Sequence, residues 1–192
     1  MKPFENFDWT NFWNDSDYAK KAYIGKAPMD EEISEIEKEL GYKLPQSYIE
    51  LIKKHNGGIP VLRVFLTDDY EINITGIFGI DRTKRHSLCG ELGSAFMISE
   101  WGYPNIGIAV ADTISGGHDM IFLDYRECGK DGETKVVVVD QESDYHIGVL
   151  ADTFEDFIKG LTIDATEMEN EDFALLDENQ KCLAIKFLQE MQ

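Results

Sequence analysis

The chain has 192 residues, with 18 lysines and arginines against 37 aspartates and glutamates, which gives a formal net charge of −19 at pH 7. A hydrophobic content of 43% and an aromatic content of 11% exclude a wholly disordered chain, and the length predicts one domain with or without an extension. The surplus of acids argues against nucleic acid and against anionic membrane surfaces as partners, because both bind through basic groups.

The cysteines favour a reducing compartment, and the hydropathy predicts neither a secretory signal nor a membrane span. Cys89, Cys128 and Cys182 are far apart and form no CxxC pair, so we predict neither a disulfide framework nor a structural zinc site. The N-terminus lacks the apolar core of a secretory signal, and no stretch approaches the ~20 apolar residues of a membrane span. We therefore expect a cytoplasmic protein that needs no cofactor.

The first third of the chain predicts helices. Residues 1–28 are rich in aromatic residues, and a short helix is expected over Asn11–Lys21. Asp30 would cap a helix with an apolar stripe that ends before Gly41, a residue suited to the left-handed position after a helix. Pro45 suits the first turn of a second helix, so we expect an αα unit near the N-terminus.

The middle of the chain predicts strands. The β-type runs cover residues 61–66, 72–80, 106–113, 120–125 and 136–139. The third and fourth runs are joined by a glycine-containing hairpin connection, and the four valines of the last run indicate a strand covered on both faces.

The last part of the chain predicts helices again. Thr153 would cap a helix that ends near Gly160, and an acidic segment over 164–172 precedes a final amphipathic helix. We therefore divide the chain into an aromatic-rich extension (1–29), an α+β domain (30–161) and an acidic segment plus a C-terminal helix (162–192).

Five short motifs occur in a recognisable order along residues 30–161. They are Leu40-Gly41-Tyr42-Lys43-Leu44-Pro45, Asn56-Gly57-Gly58 with Pro60, Gly76-Ile77-Phe78-Gly79-Ile80, Ile108-Ala109-Val110-Ala111-Asp112 with Gly116-Gly117, and Leu150-Ala151-Asp152-Thr153-Phe154. Together they resemble the SUKH superfamily, in the branch of the fungal cell-wall assembly regulator and its bacterial homologues.

The resemblance implies an α+β fold in which a mostly antiparallel sheet carries helices on one side and at its ends. For the bacterial members it implies an immunity protein that neutralises a secreted polymorphic toxin, often a nuclease, without catalysis. For the fungal member it implies a regulatory protein-interaction module instead. The motif positions Gly57, Gly58, Pro60, Gly116 and Gly117 are expected to have structural roles.

The charge agrees with an inhibitor of a basic toxin domain. A nuclease presents a positive groove to phosphate, and carboxylates on an inhibitor would complement that field and occlude the groove in a one-to-one complex. The candidate contact residues are acids of the sheet region and one aromatic neighbour: Asp68, Asp69, Glu71, Glu100, Trp101, Asp112 and Asp119.

Two chemical alternatives remain in the sequence. Asp112 and Asp119 could face each other near a hairpin turn, with Glu100 nearby, and form a cation site or an acid–base pair; a solvated acidic rim is the commoner outcome. His86 and Cys89 could supply two metal ligands or a thiolate dyad, but a second ligand pair is missing. We therefore predict no catalytic residue and no metal site.

Overall fold

The computed structural model describes residues 2–163 and residue 181. The acidic segment, Cys182 and nearly all of the expected C-terminal helix lie outside the described residues. The described helices are α1 (Asp17–Ala22), α2 (Asp30–Leu40), α3 (Gln46–Lys54), α4 (Ser94–Ser99) and α5 (Phe154–Lys159). None of these helices is both long enough and apolar enough to cross a bilayer.

The strands form one large sheet and one small one. They are β1 (Trp13–Asn14), β2 (Ile59–Pro60), β3 (Val64–Leu66), β4 (Glu71–Ile77), β5 (Gly107–Thr113), β6 (Asp119–Asp124), β7 (Lys135–Asp140) and β8 (His146–Ala151). Strands β3 to β8 pair in chain order as a six-stranded antiparallel meander, and β1 pairs with β2. The fold is therefore α+β with a mostly antiparallel sheet, as the sequence predicts.

The centre of the sheet is buried on both faces. Every side chain of Val136–Val139 is buried, and so is every side chain of Met120–Asp124 on the neighbouring strand. Such strands read as continuous apolar runs, because neither face meets water. The prediction of a covered valine strand is confirmed.

The sheet curls until its two edges approach each other. Tyr70, in the turn between β3 and β4, has its hydroxyl 3.1 Å from Nε2 of His146 in β8. Its ring covers Gly148, where a Cβ atom would come within 2.3 Å of the ring. The turn after β3 therefore lies beside β8, although these two strands are at opposite edges of the sheet.

The αα unit forms where it was expected, with one difference at its start. The helix α2 has Met29 at its N-cap, and Glu32 accepts a hydrogen bond of 2.7 Å from the Met29 amide, so Asp30 is the first helical residue and not the cap. Gly41 ends α2 at φ 78°, in the left-handed region predicted for it. The next helix begins directly after Pro45.

The predicted helix over Asn11–Lys21 is wrong in its first half and confirmed in its second, where α1 runs from Asp17 to Ala22. Asn11 has φ 58°, which breaks a helix, and a two-residue strand follows before Ser16 caps α1. The aromatic residues of this segment pack on the domain: Phe4 and Phe12 belong to the core, and the Phe4 amide donates to the Glu155 carboxylate on α5.

Candidate functional site

Alternate turns of a meander lie at the same end of the sheet. In this chain these turns are residues 67–70, 114–118 and 141–145, between β3 and β4, β5 and β6, and β7 and β8. They contain no lysine and no arginine. We call this end, together with its flanking residues, the acidic end.

The acidic end gathers most of the predicted contact residues. Its eight carboxylates are Asp68, Asp69, Glu71, Glu100, Asp119, Asp140, Glu142 and Asp144. Glu71 and Asp119 line one shallow groove, and the contact between Tyr70 and His146 brings the first turn next to the third. The predicted acids, which are up to 51 positions apart in sequence, thus form one surface.

Two of these carboxylates are directly opposed across strands. Asp119 at the start of β6 is paired in register with Asp140 at the end of β7. Like charges opposite each other destabilise a sheet. Partial burial, together with the negative charges of Asp140 and Glu142, raises the pKa of Asp119. The charged form of Asp119 is therefore disfavoured in the folded protein, whereas hydrogen bonds from Ser143 lower the pKa of Asp140.

Replacing Asp119 with asparagine should stabilise the protein at pH 7 by about 0.5 kcal/mol, because it removes one of two opposed charges. A carboxyl group with a raised pKa favours folding while protonated, and this contribution is lost as pH rises through its folded pKa. The gain of D119N should therefore shrink as pH falls through that pKa and wild-type Asp119 becomes neutral. Urea unfolding at pH 7 and pH 4 measures this.

Glu133→Gln removes one negative charge from the loop between β6 and β7, at the other end of the sheet, and serves as the control for net charge. An equal gain in stability from E133Q would show that total charge, and not the opposed pair, is responsible. A destabilised D119N protein at pH 7 would contradict the electrostatic account of this pair.

Trp101 lies between two of the acidic turns. Its ring approaches Gly117, where a Cβ would be 3.0 Å from the indole, and it stands edge-on to the His118 ring at 6.1 Å. Its carbonyl accepts a 2.6 Å hydrogen bond from the Tyr145 hydroxyl. Ile114, in the turn between β5 and β6, is exposed, so the acidic end carries apolar groups as well as carboxylates.

Asp112 lies in different surroundings from the other candidates. Its Oδ2 and Oδ1 atoms are 2.8 and 3.0 Å from the Tyr23 hydroxyl, which donates to the carboxylate, and the Gly76 amide donates to Oδ1 at 3.1 Å. His86 Nδ1 is 2.9 Å from Oδ2, outside hydrogen-bond geometry, and the His86 ring stacks on Tyr23. The hypothesis that Asp112 faces Asp119 is wrong, since Asp112 pairs in register with Met120.

The hydroxyl of Tyr23 is held protonated by this cluster. Burial and the adjacent Asp112 carboxylate both raise the pKa of Tyr23 well above its usual value. Tyr23 is fully buried and therefore serves as a fixed hydrogen-bond donor. Nothing in the sequence relates residues 23, 86 and 112, because each comes from a separate segment of the chain.

His86 and Cys89 interact with different neighbours. His86 contacts Asp112 and Tyr23, whereas Cys89 is next to Glu39, and burial with that carboxylate raises the pKa of the Cys89 thiol to about 12. A thiol of this kind is a poor nucleophile at neutral pH. Within residues 2–163 and residue 181, no three histidine, cysteine or carboxylate side chains are grouped as metal ligands would be.

The motif glycines occupy positions that other residues would strain. Gly57 has φ 80°, and a Cβ there would lie 2.5 Å from the Gly79 amide nitrogen. Gly116 and Gly117 have φ 73° and 109° in the turn between β5 and β6. These observations agree with the structural roles expected for them.

A larger groove on the helical side carries both signs of charge. Its volume is about 380 Å³, and Lys26 and Arg82 line it together with Glu35 and Asp81. Mixed charge of this kind gives no field of one sign. The three turns of the acidic end, in contrast, contain acids and no lysine or arginine.

The architecture defines a class: an α+β domain built on a six-stranded antiparallel meander. The chain belongs to the SMI1/KNR4 family (SUKH-1), whose family model matches residues 28–160, more than half of the sequence. No match to a curated protein accompanies the family match. Membership supports a protein-interaction or immunity role.

Proposed function

We propose that this protein is a bacterial immunity protein that acts in the cytoplasm and neutralises a cognate toxin, a basic nuclease domain, by one-to-one occlusion without catalysis. The proposal joins the family membership to one observation on this chain. That observation is the acidic end, with eight carboxylates around three turns that contain no lysine or arginine.

The carboxylates of the acidic end would attract a basic partner to this part of the surface. Complementary fields accelerate association and select partners, and their effect grows when charges of one sign are focused on a small surface. The opposed pair Asp119 and Asp140 costs folding stability, and a cationic partner would relieve that repulsion on binding. Apolar groups such as Trp101 and Ile114 would supply the desolvated contacts that slow dissociation.

The test starts from the genes next to the one for this chain: a neighbour that encodes a secreted toxin supplies the binding partner, and the absence of any such neighbour would favour a regulatory module. We expect the purified chain to form a 1:1 complex with the C-terminal toxin domain in light-scattering chromatography and to restore growth of cells that express this domain. A chain that neither binds nor protects would contradict the proposal. Capture of a regulatory protein of the same cell in its place would also contradict it, and would favour a signalling module.

A further inference from the structure

A small cavity lies directly beneath the turn between β5 and β6. Its volume is about 120 Å³, and the walls are formed by apolar groups of the core and by two glycines of that turn. These walls include Phe78, Leu92, Met97, Met120, Gly116 and Gly117. The cavity is partly open, and Gly116, an exposed residue of the acidic end, forms part of its lining.

The polar residues that line the cavity are Asp112, His86 and Thr113, and the side chains of the first two are in contact. The side chain of Asp112 keeps 13% of its surface accessible, and His86 is 8% exposed. Nδ1 of His86 is buried and has no hydrogen-bond partner, although Asp112 Oδ2 is only 2.9 Å away. Buried polar atoms without partners are uncommon and costly, which marks this part of the cavity lining as incomplete.

Asp112 Oδ2 and His86 Nδ1 could both be satisfied by one group that donates more than one hydrogen bond. A carboxylate only accepts hydrogen bonds, and a neutral imidazole protonated at Nε2 offers Nδ1 as an acceptor as well. Tyr23 and Gly76 already donate to Asp112, but neither is cationic. An ammonium group has three donors and one positive charge, so it could satisfy both atoms and balance the charge of Asp112.

We propose that this cavity receives the end of a lysine side chain from the protein partner, with its ammonium group against Asp112 and His86. The proposal rests on the proposed function and adds the residue type that the partner inserts. A volume of about 120 Å³ has room for roughly four water-sized groups, which suits the last methylenes and the ammonium of lysine. The bulkier planar guanidinium of arginine fits less well.

The apolar walls explain why an aliphatic chain would accompany the charge. Lysine commonly buries its methylene stem along apolar surface while its ammonium contacts a polar group. Met97 and Met120 are flexible side chains that adapt to such a stem. The surrounding carboxylates of the acidic end would draw the cation toward the opening.

The experiment titrates the whole chain, labelled with ¹⁵N, with n-butylammonium chloride at constant ionic strength. We expect saturable shifts of the Gly116 and Gly117 amide signals with a Kd on the order of millimolar, the range for so small a ligand. The neutral isostere n-butanol should shift these signals at least about tenfold more weakly. Equal responses to butylammonium and butanol, or no saturation, would overturn the proposal.

Two variants make the test specific. Asp112→Asn removes the charge but keeps an acceptor for Tyr23, and should weaken butylammonium binding at least about tenfold. Leu92→Phe fills the cavity and leaves the carboxylate in place, and should abolish binding. A variant that binds as wild type does would contradict the proposal, whatever the outcome of the toxin experiments. Conversely, a toxin that is neutralised without any butylammonium binding would leave the proposed function standing and reject only the lysine pocket.

Discussion

Replacing Gly76 with alanine should lower the free energy of unfolding by about 3 kcal/mol. A Cβ atom at this position would lie 2.5 Å from Cε1 of Tyr23, a ring that is fully buried and fixed by its hydrogen bonds to Asp112. The ring has no free space to move into, so the backbone of β4 must shift. Urea unfolding monitored by fluorescence measures the change.

Gly41→Ala is the matched control for this substitution. Gly41 has φ 78°, and nothing lies within 4 Å of its Cβ position, so the control measures backbone strain alone, about 1 kcal/mol. A second substitution, Tyr23→Leu, removes the clashing ring and should reduce the penalty of Gly76→Ala in a double-mutant cycle. Equal penalties for Gly76 and Gly41, or a Gly76 penalty unchanged by Y23L, would contradict the packing argument.

Asp112→Ala should have a similarly large effect on stability. It leaves the Tyr23 hydroxyl and the Gly76 amide as buried donors without acceptors, and each costs about 1–3 kcal/mol, so we expect a total loss of about 3 kcal/mol. Asp112→Asn keeps one acceptor oxygen and offers an amide donor to His86, so its loss should stay within about 1 kcal/mol.

Comparing Asp112→Asn with Asp112→Ala separates the stability that comes from side-chain shape and hydrogen bonding from the stability that comes from the negative charge. Thermal unfolding at pH 7 gives the order expected: wild type, then D112N, then D112A. If asparagine were as destabilising as alanine, the negative charge itself would hold the cluster together.

Periodic segments of the sequence predict most of the fold. The stripe of Ile33 and Ile36 in α2, the cap at Thr153 and the valine run of β7 are local signals, and the structure bears them out. The helix α4 escapes prediction because it has six residues and no side-chain cap. Strand β8 escapes it because Gly148, in the middle of a six-residue strand, interrupts the alternation that marks a strand.

The candidate site is predicted only in part, for a topological reason. The sequence identifies acids such as Asp69, Glu71 and Asp119, but only the strand order shows that their turns meet at one end. Glu142 and Asp144 enter the acidic end through the turn before β8, a strand that the sequence does not predict.

The cluster around Asp112 is missed altogether. Tyr23 lies before the segment that carries the family resemblance, and it contacts Asp112 across 89 positions. Polar contacts over such separations have no periodic signature. Only the packed structure reveals that a predicted surface acid is instead part of the lining of a cavity.

The central claim is that the acidic end attracts the partner, and the association rate of the toxin complex tests it most directly. Glu71→Lys with Glu142→Lys reverses two charges at this end, and Asp131→Lys with Glu133→Lys makes the same change in net charge in the loop between β6 and β7. We predict that the first pair slows association at low salt by about tenfold or more and flattens its salt dependence, whereas the second pair changes it less than about threefold. Equal effects of the two pairs would contradict the claim.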